Sequence, residues 1–419
     1  MVAFFDSILS ISLSAFRKSY SCESVLIRLI EDWKALLDKQ HVVGAMLLDL
    51  SKAFDCLPHR LLIAKLKAYG FDENACSLIH SYLLNRRQRV KIGDSRSEWL
   101  NLTKGVPQGS ILGPLLFNIF LNDIFYSING LYNYADDNTI SRHGLDVSEV
   151  KNLLEEATSS ALDWFESNEM QANPSKFQAL LLGSGSKKTD ITFHVNGSDI
   201  RPSTSVNLLG VEIDSKLNFS KHISKICIKA GRQISALARL SKLLDTDTKI
   251  LIFNSFIISN FNYCPLVWHH CSIIDSRKIE KIQERGLRFV YNDSQSSYSE
   301  LLFRANRSTL YVERLKKLAV LVFKSSSKIG PPSIHDLYIA KDVHYSLRDS
   351  SKFVQPKFNT TTFGINSLRY SGATLWNKDI PKNFKEVSSN DLNVFKQLVR
   401  SWSGPSCKCN VCTLCKLAE

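Results

Sequence analysis

The sequence has no run of 18 consecutive apolar residues, so it offers no candidate for a membrane-spanning helix. Its apolar start, from Met1 to Phe16, lacks the basic flank and the small-residue cleavage site of a secretion signal. That segment also carries Asp6, and we therefore expect no secretion signal. Internal repeats and low-complexity segments are missing as well. Because 44% of the residues are hydrophobic, near the globular norm, general disorder is excluded.

Cysteine is too sparse for a disulfide scaffold, since the 419 residues contain ten cysteines and six of these are dispersed. We expect a reducing, intracellular compartment, with the choice between nucleus and cytoplasm left open. The other four, Cys407, Cys409, Cys412 and Cys415, crowd the C-terminal tail, where four thiolates would satisfy a tetrahedral Zn²⁺ site. Their C-x-C-x₂-C-x₂-C spacing is tight and has no second pair, so a metal shared by two chains and free thiols stay open as alternatives.

Charge is divided unevenly along the chain. Residues 1–220 carry a net charge of −3, whereas residues 221–419 carry +16. A near-neutral half joined to a strongly basic half is typical of a protein whose second half binds a polyanion. A basic domain that is merely well solvated fits the charge equally well.

The hydrophobic pattern predicts an α+β domain that ends near residue 220, followed by a mostly helical region to about residue 327. The apolar run 42–48 predicts a buried strand that ends at Asp49. The other expected elements share turn or capping signals at their ends: helices after Pro58, Asp72, Ser110 and Asp146, hairpins within 89–102, within 131–141 and at Asn196-Gly197, a strand over 177–182, and a strand from Val206 to Ile213.

Three carboxylates stand beside apolar segments. Asp49 ends the buried strand, and Asp136 and Asp137 occupy the tip of a hairpin. Ionised carboxylates beside a core are costly unless a cation compensates them, and oxygen ligands without His or Cys favour Mg²⁺ or Mn²⁺ over zinc. Paired Mg²⁺ ions about 4 Å apart assist in-line attack on phosphorus. A solvated turn is the alternative for the Asp136-Asp137 pair alone.

Several motifs occur together and in order: LDLSKAFD at 48–55, GVPQGS at 105–110 and YADD at 134–137. They resemble motifs A, B and C of the reverse transcriptases of non-LTR (LINE-type, jockey-like) retrotransposons. SAFRK at 14–18 resembles that family's fingers motif, NPSK at 173–176 resembles motif D, and LLGVEI at 208–213 resembles the primer-grip strand. The resemblance covers roughly residues 4–215, and it implies a chain that begins within the fingers, with more fingers and an endonuclease encoded upstream.

The resemblance also implies roles for single residues. Asp49, Asp136 and Asp137 would be catalytic and would hold Mg²⁺ (or Mn²⁺) together with the Leu50 carbonyl, and Lys176 would neutralise or protonate the pyrophosphate. Four residues would contact the incoming nucleotide: either Arg17 or Lys18 at its triphosphate, Phe54 under its sugar, and Gln108 and Gly109 along its length. Two alternatives stay open: Phe54 would be an ordinary core residue, and Lys176 would be an ordinary surface lysine.

The basic half contains a cationic stripe on one predicted helical face, formed by Lys221, Lys225, Lys229 and Arg232. Such a stripe beside a polymerase palm would follow the phosphates of a duplex, although a solvated face is the commoner explanation. Lys278, Lys281, Arg285 and Arg288 repeat the pattern less regularly. Core packing is favoured over base stacking for Trp268, Tyr291 and Trp376.

Taken together, the sequence predicts a right-hand polymerase of the α+β class with a split β-α-β palm. The expected domains are partial fingers (1–40), palm with fingers elements (41–220), a helical basic thumb-like region (221–330) and a C-terminal region with the cysteine cluster (331–419). The expected function is RNA-directed DNA polymerisation in retrotransposition, with an RNA template, a DNA primer and dNTPs as partners and no membrane. An inactive truncated remnant that still binds nucleic acid, and an RNA-templated RNA polymerase, are the alternatives.

Overall fold

The computed structural model describes residues 6–183, 191–341 and 353–405. The cysteine cluster of the tail lies outside these ranges, so its predicted zinc site stays a prediction. Among the described residues, no helix combines the length and the hydrophobicity needed to cross a bilayer.

The helices are, in chain order, α1 (Cys22–Asp38), α2 (His59–Ala68), α3 (Glu73–Leu83), α4 (Leu112–Leu121), α5 (Ile124–Ser127), α6 (Val147–Ser167), α7 (Ser220–Ala238), α8 (Thr246–Ile252), α9 (Ser259–Asn262), α10 (Ile273–Tyr291), α11 (Tyr298–Arg304), α12 (Leu310–Ser326), α13 (Pro332–His335), α14 (Leu368–Lys378), α15 (Lys382–Lys385) and α16 (Leu392–Ser401). Short 3₁₀ turns cover Ala53–Asp55, Pro174–Lys176 and Ser241–Leu243, and π-helical turns cover Phe253–Ile258 and Thr361–Ile365.

The strands are β1 (Val42–Leu48), β2 (Arg87–Gln88), β3 (Lys91–Ile92), β4 (Ser95–Arg96), β5 (Leu100–Asn101), β6 (Leu131–Tyr134), β7 (Asp137–Gly144), β8 (Gln178–Leu182), β9 (Phe193–Val195), β10 (Ser198–Ile200), β11 (Pro202–Ser203), β12 (Ser205–Leu208) and β13 (Val211–Asp214). The mixture of helix and sheet confirms the α+β class.

The chain forms two compact units. The first contains residues 1–21 and 41–204, and the second contains residues 22–40 and 205–419. The first unit holds the large sheet, and the second is mainly helical. The predicted fingers (1–40) contain α1, which this division assigns to the second unit. It also assigns residues 205–220 of the predicted palm to the second unit.

A five-stranded sheet in the order β11-β8-β1-β7-β6 is the centre of the first unit. The apolar strand β1 pairs antiparallel with β7 and with β8, which explains why its residues are almost all buried. Helix α6 packs on this strand at Gly44, where a Cβ atom would lie 2.7 Å from Cγ1 of Val150. Glycine at this position therefore lets the helix approach the sheet.

Local signals place the helix starts where the sequence predicts them. The Asp72 side chain accepts a hydrogen bond from the Ala75 amide (2.7 Å), and the Asp146 side chain accepts one from the Glu149 amide (2.9 Å). The helix expected after Ser110 is divided into α4 and α5, which are separated by Asn122 and Asp123.

One predicted strand is wrong. The segment from Val206 to Ile213 is a tight hairpin of β12 and β13 in the second unit, with Leu208 paired to Val211. Leu209 and Gly210 form its turn with φ of 47° and 78°, a conformation that glycine adopts readily. The sequence pattern does not predict this turn, because the segment is apolar almost throughout and only one glycine, Gly210, marks the turn.

Helix α1 is held in the second unit by its acidic side chains. Glu31 accepts hydrogen bonds from the backbone amides of Leu368 and Arg369 at the start of α14 (2.8 and 3.0 Å). Asp38, at the other end of α1, accepts bonds from the amides of Asn359 and Thr360 (3.0 and 2.7 Å). These acids cap segments more than 300 residues away, which no local sequence signal reveals.

Candidate active site

The sheet brings the three predicted acids to one edge. Asp49 directly follows β1, and Asp137 begins the neighbouring antiparallel strand β7. Since Leu48 pairs with Asn138, Asp49 and Asp137 occupy the next opposed positions, and Asp136 lies in the adjoining turn. Asp49 is half-buried, whereas Asp136 and Asp137 are exposed.

The three carboxylates lie close enough together to affect the ionisation of Asp137. Partial removal from solvent, followed by the charges of Asp136 and Asp49, raises the pKa of Asp137 to about 6. Lys176, in a 3₁₀ turn before β8, places its Nζ 3.2 Å from Oδ2 of Asp49. The predicted motif D lysine therefore lies at the acidic cluster and offsets part of its negative charge.

The chemistry of this cluster fits a hard divalent cation. Carboxylate oxygens of Asp49, Asp136 and Asp137, and the backbone carbonyl of Leu50, are ligands of the type that Mg²⁺ prefers. A cation between the carboxylates would also relieve the repulsion that, after desolvation, contributes to the raised pKa of Asp137. In the described part of the chain, no set of three or more His, Cys, Asp and Glu side chains already forms a coordination group.

Two buried asparagines shape the turn that carries Asp136. Asn133 Nδ2 donates to the Ala135 carbonyl (2.7 Å) and to Oδ1 of Asn138 (3.0 Å), and Asn138 Nδ2 donates to the Asp136 carbonyl (3.0 Å). These bonds hold Ala135 at a φ of 55°, which costs a non-glycine residue about 1 kcal/mol or more. Neither asparagine belongs to the site that the sequence predicts, although both lie within three residues of Asp136 in the sequence.

The loop of motif B packs against the turn of motif A. Gly105 has a φ of 86°, and a Cβ there would lie 2.8 Å from the Asp55 backbone. The Val106 amide donates to the Phe54 carbonyl (3.0 Å), and Gln108 Nε2 donates to Oδ1 of Asp55 (2.9 Å). The absence of a side chain at Gly105 thus lets the motif B loop pack directly on the backbone of motif A.

Gly109 differs from Gly105, because a Cβ atom added to it would meet no neighbouring atom within 4 Å, while its φ is 80°. Open space remains beside this residue. Both Gly109 and Gln108 are exposed, which suits their predicted contact with a nucleotide.

Phe54 is half-buried in an aromatic stack. Its ring lies parallel to Phe117 at 4.2 Å between centroids and edge-on to the exposed Phe16 at 5.9 Å. The core packing that was the alternative for Phe54 therefore exists on one face of the ring. Sugar selection stays a prediction for the exposed remainder.

The two predicted triphosphate ligands differ in their surroundings. The Arg17 guanidinium donates to the backbone carbonyls of Ser10 (2.6 Å) and Leu13 (3.0 Å) and pairs with Asp6 at 3.2 Å. Its side chain is only 7% exposed, so Arg17 is engaged in holding its own segment. Lys18 is exposed, and its predicted contact with the triphosphate stays a prediction.

In the second unit, the predicted cationic stripe lies on the exposed side of α7. All four of its side chains are exposed, whereas Ile223 and Ile234 on the other side are buried. Lys221 Nζ donates to Ser205 Oγ (2.9 Å), so the stripe begins beside β12. Trp268 and Trp376 are buried, as core packing requires.

The model of the reverse transcriptase (RNA-dependent DNA polymerase) family matches residues 3–213, half of the chain. This chain belongs to the reverse transcriptase family. Members of the family generally use divalent metal ions, in keeping with the acidic cluster.

Individual relatives support the LINE-type assignment. The chain is 24% identical over 285 residues to the probable RNA-directed DNA polymerase from transposon X-element of Drosophila melanogaster, covering 66% of this chain and 31% of that protein. It is 26% identical over 268 residues to the RNA-directed DNA polymerase from mobile element jockey of the same species, covering 61% and 29%. The chain thus spans less than a third of these curated relatives.

A solved structure of apo telomerase from Candida tropicalis is also similar, with a TM-score of 0.41 and 12% identity over 74% of this chain and 53% of the telomerase chain.

Proposed function

We propose that this chain is the polymerase part of a non-LTR retrotransposon protein, and that it adds dNTPs to a primer 3′-OH on an RNA template. The observation that supports this most is the meeting of Asp49, Asp136 and Asp137 beside Lys176 at one edge of the sheet. Family membership and the names of the relatives agree with the proposal.

In the proposed mechanism, the carboxylates of Asp49 and Asp136 and the Leu50 carbonyl would hold the divalent cations, Mg²⁺ or Mn²⁺, and Asp137 would shape the turn or add a ligand. When bound, such ions activate the attacking hydroxyl and stabilise the leaving pyrophosphate. Lys176 leaves its ion pair with Asp49 to neutralise or protonate the pyrophosphate. Gln108 and Gly109 align the nucleotide, and Lys18 binds its triphosphate.

The direct test is incorporation of labelled dTTP on a poly(rA)/oligo(dT) primer-template. We expect incorporation with Mg²⁺ or Mn²⁺ and complete loss with EDTA, because the proposed phosphoryl transfer depends on bound divalent cations. Reactions without template, and with UTP in place of dTTP, are the controls. Absence of incorporation with retained binding of the primer-template would favour an inactive nucleic-acid-binding remnant, and preference for UTP would favour an RNA polymerase.

For the basic half, we propose that the stripe on α7 binds the phosphates of the template-primer duplex. Replacing its four cations together by Gln should flatten the log–log salt dependence of binding by up to about 3–4, since each phosphate contact releases about 0.9 of a counterion on B-DNA. Fluorescence anisotropy of a labelled duplex between low and physiological salt measures this slope.

The matched control removes four exposed lysines elsewhere in the second unit, Lys328, Lys341, Lys357 and Lys382. Both variants lose the same net charge, so an equal change of slope in both would show that the stripe is only a solvated face. Folding should survive in both because the substituted side chains are exposed.

A further inference from the structure

The first unit carries a narrow β-ribbon with no core of its own. It runs from Arg86 to Leu102, and β2 pairs with β5 and β3 pairs with β4 across a two-residue turn at Gly93-Asp94. Every residue from 87 to 101 is exposed. A two-stranded ribbon of this kind is marginally stable alone, and its side chains are available to a partner.

The ribbon presents an aromatic ring beside two arginines. Trp99 is 52% exposed and is the only exposed tryptophan among the six in the chain, all of which are described. The guanidinium of Arg89 lies 4.5 Å from the centre of its ring, and that of Arg87 lies 5.9 Å away. A flat ring beside guanidinium groups is the arrangement on which nucleic-acid bases stack while their phosphates pair with the arginines.

Charge and hydrophobicity decide which partner fits. The ribbon has five cations (Arg86, Arg87, Arg89, Lys91, Arg96) against two acids (Asp94, Glu98), a net charge of +3. Val90, Ile92 and Leu100 are also exposed, so the surface is apolar as well as basic. A single-stranded nucleic acid offers both a polyanionic backbone and unpaired apolar base faces, whereas a duplex buries its base faces.

The base of the ribbon adjoins the loop of motif B. Arg86, Arg87 and Gln88 line a cavity together with Lys104, Pro107 and Gln108. Gln108 is the residue proposed to align the nucleotide. A strand lying along the ribbon would therefore reach this cavity beside the loop of motif B.

We propose that the ribbon is a stacking platform for the unpaired RNA template ahead of the polymerase site, with Trp99 as its base-stacking residue. The identity of the bound strand as template rests on the proposed function, whereas binding of single-stranded RNA does not. Arg87 and Arg89 lie against the ring and pair with the phosphates that flank the stacked base.

The test measures binding of a fluorescent 12-nucleotide oligo(U) to the full chain by anisotropy, with EDTA and without dNTPs. Trp99→Ala should weaken binding roughly 5- to 150-fold, the range for loss of one stacked base, and Trp99→Phe should retain most of the affinity because a ring remains. A blunt duplex should bind both variants as it binds the parent. Omitting metal and dNTPs makes failure of this proposal independent of failure of polymerisation.

The role of the arginines is tested by the double variant Arg87→Ala/Arg89→Ala. Its control is the double variant Lys67→Ala/Arg201→Ala, which removes two exposed cations of the same unit that lie outside the ribbon sequence. Only the first pair should weaken oligo(U) binding beyond the general loss of two charges. The proposal is overturned if Trp99→Ala binds oligo(U) within twofold of the parent, or if duplex binding falls as much as single-strand binding. It is equally overturned if the substitution changes only self-association in sedimentation, since the ribbon would then be a protein contact.

Discussion

Replacing Asp136 with Asn is expected to reduce dNTP incorporation by roughly 10³-fold or more. The substitution keeps the size of the side chain but removes a full negative charge from the acidic cluster, and loss of cation-assisted charge stabilisation costs several kcal/mol in the transition state. Asp136 is exposed and its carbonyl is held by Asn138, so the turn should persist. Single-nucleotide extension of an RNA-templated primer measures the effect.

The matched control is Asp163→Asn, which removes the same charge from an exposed position on α6. Its extension rate should equal that of the parent, and thermal unfolding should show similar midpoints for all three proteins. Near-parental extension by Asp136→Asn would contradict the prediction, because it would show that the negative charge of Asp136 takes no part in nucleotide addition.

The sequence predicts most elements of the first unit, because their signals are local. The apolar run of β1, the capping acids Asp72 and Asp146, and the Asn196-Gly197 turn each act within a few residues of themselves. Hairpin β12–β13 escaped prediction because its turn residue Leu209 continues the apolar pattern. Pattern alone favours a continuous strand wherever hydrophobicity does not fall at a turn.

The sequence is a poorer guide to contacts between residues that are far apart in the chain. The motifs place Asp49 and Asp136 in a common site only through family resemblance, whereas the structure joins them through the β1–β7 register. The capping of distant segments by Glu31 and Asp38, which puts α1 in the second unit, has no local signature because an acid on a helix surface is usually solvated. For the same reason the sequence does not distinguish Arg17, whose donors are satisfied by its own segment, from the exposed Lys18.

Phe54→Val is expected to increase incorporation of rNTPs relative to dNTPs by about 10- to 100-fold, the usual range for discrimination of one hydroxyl by an apolar contact. One face of the Phe54 ring is packed on Phe117, so the ring is held in place and its exposed part resists displacement by a 2′-OH. The shorter valine side chain would leave that space open. Competing incorporation of UTP and dTTP on poly(rA)/oligo(dT) gives the ratio directly.

Packing must be separated from selection, because truncating a half-buried ring costs about 1–2 kcal/mol of unfolding free energy through lost contact with Phe117. Phe117→Leu is the control, since it disturbs the same stack from its fully buried side. We expect both variants to lose stability and only Phe54→Val to lose sugar discrimination. An equal change of the UTP/dTTP ratio in both variants, or no change in either, would make Phe54 a core residue whose position in motif A reflects packing alone.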